Sequence, residues 1–155
     1  MKVNYSKIIE VFEELASKHL QINSFVDNHP LQVNSKELNF PVLAIYPGLT
    51  RMDKGIVKMG FKMFIMDLQT GGYTGERSGL SSTLLIGNDI IKKLFQSEDE
   101  YGFVINEETV VAEPFAENFK SSEKADIEDD VVGWYFSFDV DIQDDYNSCN
   151  LPFAE

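Results

Sequence analysis

Residues 131–142 constrain the fold more than any other stretch of this chain. Val132, Trp134, Phe136, Phe138, Val140 and Ile142 take every second position, with Gly133, Tyr135, Ser137, Asp139 and Asp141 between them. Successive side chains of an extended strand point to opposite faces, so this alternation predicts a half-buried antiparallel strand. A second long strand is expected over residues 56–68. Its odd positions, Val57, Met59, Phe61, Met63 and Ile65, are all apolar. Its even positions begin polar, with Lys58, Gly60 and Lys62, and turn apolar at Phe64, Met66 and Leu68. The later half should therefore be buried on both faces and the earlier half on one. Before it lie an apolar, β-prone run at 40–46 and a turn signal, Arg51-Met52-Asp53-Lys54-Gly55. The pattern predicts a hairpin rooted in the core with a projecting tip. That tip carries Arg51, Lys54, Lys58 and Lys62, four of the thirteen positive charges.

Residues 6–20 put Ile8, Ile9, Val11, Phe12, Leu15 and Ala16 on one face of a helix, with Glu10, Glu13, Glu14 and Lys18 opposite. A second helix is expected over 80–95, with Leu84, Ile91, Leu94 and Phe95 among its buried positions. Gly87 inside it costs about 1 kcal/mol relative to Ala. The polar stretch 21–39 reads as an ordered loop, and the glycine-rich stretch 70–79 as a mobile connection. Short β-prone runs follow at 101–105 and 109–115, then an acidic loop at 116–130. With 155 residues, the chain is the size of one ordinary domain. The expected fold is α+β: an antiparallel sheet of about four to five strands with a projecting β-hairpin and two packed helices. One domain spans 1–142, and 143–155 forms an extended C-terminal tail.

Charge divides the chain in two. The first 95 residues hold eleven Lys and Arg against nine Asp and Glu, a surplus of +2. The last sixty hold only Lys120 and Lys124 against seventeen Asp and Glu, which makes −15 and a net charge of −13. The acidic half is a poor grip for nucleic acid, whose phosphates are held by Lys and Arg. Two unlike surfaces suit a subunit that stacks head-to-tail. The tip cations Arg51, Lys54, Lys58 and Lys62 are then candidates for docking on a neighbour's acidic half. Glu128, Asp129 and Asp130, with Asp139 and Asp141, are candidates for a channel wall or an acidic interface.

No residue set for catalysis stands out, and an enzyme is not expected. Nucleophilic catalysis needs a base beside the nucleophile. The two histidines, His19 and His29, lie far in sequence from the single cysteine, Cys149, which is expected to pack where the tail docks. A calcium loop read from Asp139 runs through Asp141 and Gln143, with Asp144 where glycine should stand, so neither a metal nor a cofactor is expected. The glycine-rich stretch 70–78 lacks the Gly-Lys-Ser/Thr ending of a phosphate loop. One cysteine permits no internal disulfide, which fits a reducing compartment. No apolar run approaches the roughly 18 residues of a membrane span.

Taken in order, several motifs resemble one family. They are Ile22-Asn23-Ser24-Phe25, Phe40-Pro41-Val42-Leu43, Tyr46-Pro47 and the strand ending Phe64-Ile65-Met66-Asp67-Leu68. Gly87-Asn88-Asp89-Ile90-Ile91, Glu113-Pro114-Phe115, Gly133-Trp134-Tyr135-Phe136 and Ser148-Cys149-Asn150-Leu151-Pro152 follow. With the N-terminal helix and the acidic loop, this order resembles the tail-terminator-like neck and tail-connector proteins of tailed bacteriophages, most closely those of crAss-like phages. The resemblance covers almost the whole chain. It implies a virion structural protein, assembled in the cytoplasm of a bacterial host. It implies a ring of sixfold or twelvefold symmetry, with neighbouring neck, portal or tail proteins and transient passage of DNA. The alternative is a soluble acidic inhibitor or DNA mimic.

Overall fold

Two long strands, paired along their full length, form the centre of a sheet in this computed structural model, which describes residues 4–27, 38–69, 72–96, 98–118 and 130–143. In chain order the elements are helix α1 (Tyr5–Lys18), strands β1 (Ser24–Val26), β2 (Val42–Asp53) and β3 (Ile56–Leu68), and helix α2 (Gly72–Gln96). After them come the single turn α3 (Glu98–Tyr101), β4 (Val104–Ile105), a 3-10 turn (Glu107–Thr109), β5 (Val111–Asn118) and β6 (Asp130–Gln143). The sheet order is β1-β2-β3-β6, and β4 and β5 share the outer side of β6. The fold is α+β, as expected. The sheet has six described strands instead of four or five, because β1 adds a parallel partner to the start of β2.

The alternation in the two long strands has the predicted consequence. On one face of the sheet, Leu43, Ile45, Met63, Ile65, Phe136 and Phe138 pack against α1 and α2. Tyr5 and Phe12 of α1 settle on Phe61 and Phe138, with ring centroids about 6 Å apart. On the opposite face, Val42, Ala44, Met66 and Val131 form a smaller buried cluster, joined by Phe40, Phe64, Leu68 and Phe115. The later half of β3 is thus covered on both faces.

Four local expectations are corrected. The apolar run at 40–46 is only the first half of β2, which continues to Asp53 because β3 pairs with it to Ile56. The turn narrows to Lys54-Gly55, where Gly55 takes a positive φ of 87° that an L side chain rarely adopts. The glycine-rich stretch expected as a mobile connection is helical from Gly72. Gly79 of this stretch and Gly87 further along α2 have a packing role, since a Cβ at Gly79 would overlap Val132 and one at Gly87 would overlap Phe136. Their absent side chains let α2 lie close on β6. Finally, Ile91 and Leu94 of α2 are buried, but Leu84 and Phe95 remain 38% exposed. The buried stripe runs through Thr83, Ile86, Ile90 and Leu94, and Leu84 and Phe95 fall on its flank. The acidic loop and the tail lie outside the described residues, apart from the ends of β5 and β6.

Candidate functional site

The hairpin expected to project is held in the sheet instead, because β3 pairs with β6 down to Ile56 and Val57 is buried; only the outer strand β2 divides into a buried root and an exposed end. Val42, Leu43, Ala44 and Ile45 are fully buried, whereas every position from Tyr46 to Asp53 is exposed. The register with β3 shifts between Pro47 and Thr50, giving one extra residue on β2. Such a bulge bends a strand and increases its twist. Beyond it, Leu49 is 76% exposed and Met52 81%. Two large apolar side chains this bare on one short stretch are a feature of the described surface that the monomer leaves uncovered, as Leu20 at the end of α1 is. Sequence reading singled out the cations here and missed Leu49 and Met52. The available signal was two large apolar residues inside a polar turn.

The four cations separate into two groups. Arg51 and Lys54 lie at the exposed end. Lys58 and Lys62 lie on β3 within the sheet. Lys58 stands opposite Arg51 on one side and Asp141 on the other. Lys62 Nζ sits 5.6 Å above the ring of Tyr135, a cation–π contact. The Tyr135 hydroxyl donates to the Glu113 carboxylate. That hydrogen bond, with smaller contributions from desolvation and the carboxylate charge, raises the tyrosine above its ordinary value.

Asp139 and Asp141 therefore share a face with the cations. Asp139 stands opposite Gly60 and lines a cleft of about 310 Å³ with Arg51, Lys62 and Thr109. Its backbone is held on both sides: its N–H donates to Thr109 Oγ1 at 2.9 Å, and its carbonyl accepts from Asn106 N–H at 2.9 Å. Asp141 Oδ1 is buried and has no hydrogen-bond partner in the structure. Asp130 is the first residue of β6, and Glu128 and Asp129 lie outside the described residues, as do His29 and Cys149.

His19 caps the C-terminus of α1, and its two ring nitrogens are both engaged. Nδ1 accepts from Gln21 N–H at 3.1 Å, and Nε2 faces Asp89 Oδ2 at 3.0 Å. The proton therefore sits on Nε2, and the ring joins α1 to α2 instead of offering a free base. Among the described residues, no group of three or more His, Cys, Asp or Glu is placed to hold a metal ion, and no helix is long and apolar enough to cross a membrane. Compared with models of known protein families and with curated protein sequences, the chain matches none.

Proposed function

We propose that this chain is a structural subunit of a tailed-bacteriophage virion, forming a ring in the neck or tail connector through which DNA passes. The observation that carries the reading is the exposed outer strand of the hairpin, with Leu49, Met52, Arg51 and Lys54 exposed at its end. Strand β3 is held by β6 down to Ile56, but the outer strand β2 leaves Leu49 and Met52 bare, and a contact with another chain would cover them. The motif order that resembles neck and tail-connector proteins supplies the identity of the assembly. The alternative of a DNA mimic needs an uninterrupted acidic face. On the described sheet face, Asp139 and Asp141 are instead interleaved with Arg51, Lys58 and Lys62. Within this reading, the acidic loop with Glu128, Asp129 and Asp130 is the better candidate for a channel wall, because a wall that repels phosphate lets the genome slide.

The test is native mass spectrometry and negative-stain imaging of the purified protein, beside an Arg51→Glu/Lys54→Glu variant. Rings are expected of the parent. The variant should keep its melting temperature and lose the rings. A parent that stays monomeric in concentrated solution, or a variant that assembles normally, sinks the reading.

A further inference from the structure

We infer that His19 is a pH-operated joint: neutral, it holds both α2 and the turn that follows α1, and protonated, it keeps α2 and releases the turn. The ring is a saturated imidazole. Nδ1 accepts from Gln21 N–H at 3.1 Å, and Nε2 donates to Asp89 Oδ2 at 3.0 Å. A neutral ring has one acceptor and one donor, and both are used. A protonated ring has two donors and no acceptor. The side chain is only 13% exposed, so the ring stays between its two partners. Histidine is the side chain whose charge ordinarily changes between about pH 5 and 8.

The surrounding charges decide which contact survives. His19 closes the C-terminus of α1, with its backbone N–H on the Leu15 carbonyl at 3.0 Å. That end of a helix favours a cation. From α2, Asp89 favours the cation, and Lys93, which lines the same cleft, opposes it. From α1, Lys18 also opposes it, but Glu14 matches that charge at 2.6 Å, and Glu100 and Tyr101 of α3 act on the same lysine. The turn itself, Leu20 and Gln21, brings no charge. The added proton therefore makes the Asp89 contact a charge-assisted bond. It also sets Nδ1–H against Gln21 N–H, two donors whose nitrogens stand 3.1 Å apart. The slack ends at Asn23, whose N–H donates to the Pro41 carbonyl and whose Nδ2 donates to the Phe40 carbonyl, each at 2.8 Å. The released turn is a wall of a cleft of about 570 Å³ between α1 and α2, lined also by Leu15, Ile90 and Lys93. The proton on His19 thus sets the shape of that cleft.

The test is proton and nitrogen NMR of the full chain from about pH 7.5 to 5, across the histidine range. At the upper end, the ring nitrogens should report the tautomer with its proton on Nε2. As the pH falls, the Gln21 amide proton should move upfield in step with the His19 ring, with one shared midpoint. Its exchange protection should fall about fivefold, the scale of one hydrogen bond. The Asn23 amide should show no such step. His19→Asn puts a carbonyl oxygen near the place of Nδ1 that accepts at every pH, so its Gln21 amide should stay protected throughout. A neutral ring protonated on Nδ1, a Gln21 amide that ignores the ring's titration, an equal step at Asn23, or an acid step that persists in His19→Asn overturns the inference. If His19→Asn does not fold, the ring and amide titrations of the parent decide it alone.

Discussion

A methyl group at Gly87 would add about 1 kcal/mol of helix propensity to α2, and it would also fall within the ring of Phe136. Overpacking a tight core contact costs typically 1–3 kcal/mol. The packing cost should win, because Phe136 is itself wedged in the main core and has no room to withdraw. Gly87→Ala is therefore expected to lower the urea midpoint, and a raised midpoint would show that α2 stands further from β6. Tyr135 makes a second prediction at this scale. Its hydroxyl is raised from the ordinary tyrosine value near 10 by donating to Glu113, so the neutral form is favoured in the folded state. The resulting stability is complete below pH 10 and is lost as pH climbs through the raised value. Tyr5 shifts the same way, chiefly through burial, with the Asp27 charge second. Tyr135→Phe should thus flatten part of the alkaline decline in melting temperature above about pH 10, and an unchanged profile would remove the Glu113 hydrogen bond from the account.

Among the elements, the hairpin behaves as two bodies on one pair of strands. Its root, around Leu43, Ile45, Met63 and Ile65, is sealed in the core. Its end, around Thr50, Arg51, Lys58 and Met59, is paired but only thinly covered. Opening free energies within one fold range from near zero to the global value according to such differences. Amide exchange at the hairpin end of the isolated chain should therefore be fast, and at the root slow. Equal protection along both strands would mean that the end is already covered in solution. This division was legible in the sequence, because the even face of β3 changes from Lys58 and Lys62 to Phe64 and Met66. Strand β6 was equally legible from its strict alternation. The early start of α2 was not, since glycines read as breakers until Val132 and Phe136 are seen beneath Gly79 and Gly87. Nor was β1, which is three residues long and takes its register from β2. The candidate site was half legible: the cations were visible as a cluster, but cross-strand register alone shows that Lys58 stands opposite Asp141 while Arg51 and Lys54 extend beyond the core.

For the whole molecule, charge acts in opposite directions within a copy and between copies. The net charge of −13 repels itself inside each chain, which destabilises the compact state. Between copies, the proposed ring sets the cationic hairpin end of one chain, with Arg51 and Lys54, against the acidic half of the next. Salt screens both, with a Debye length of about 10 Å at 0.1 M. Raising sodium chloride from about 50 to 500 mM should therefore raise the melting temperature of the dilute monomer and weaken self-association at the same time. Thermal melts at low concentration and sedimentation at high concentration follow the two effects separately. Opposed trends are the signature of an acidic body joined through a basic arm. If association strengthens with salt, like charges dominate the contact, and Arg51 and Lys54 are not what holds the copies together. The Arg51→Glu/Lys54→Glu variant completes the argument. Each substitution makes the chain two charges more negative, so the variant should show a larger gain in melting temperature with salt, and no residual association for salt to weaken.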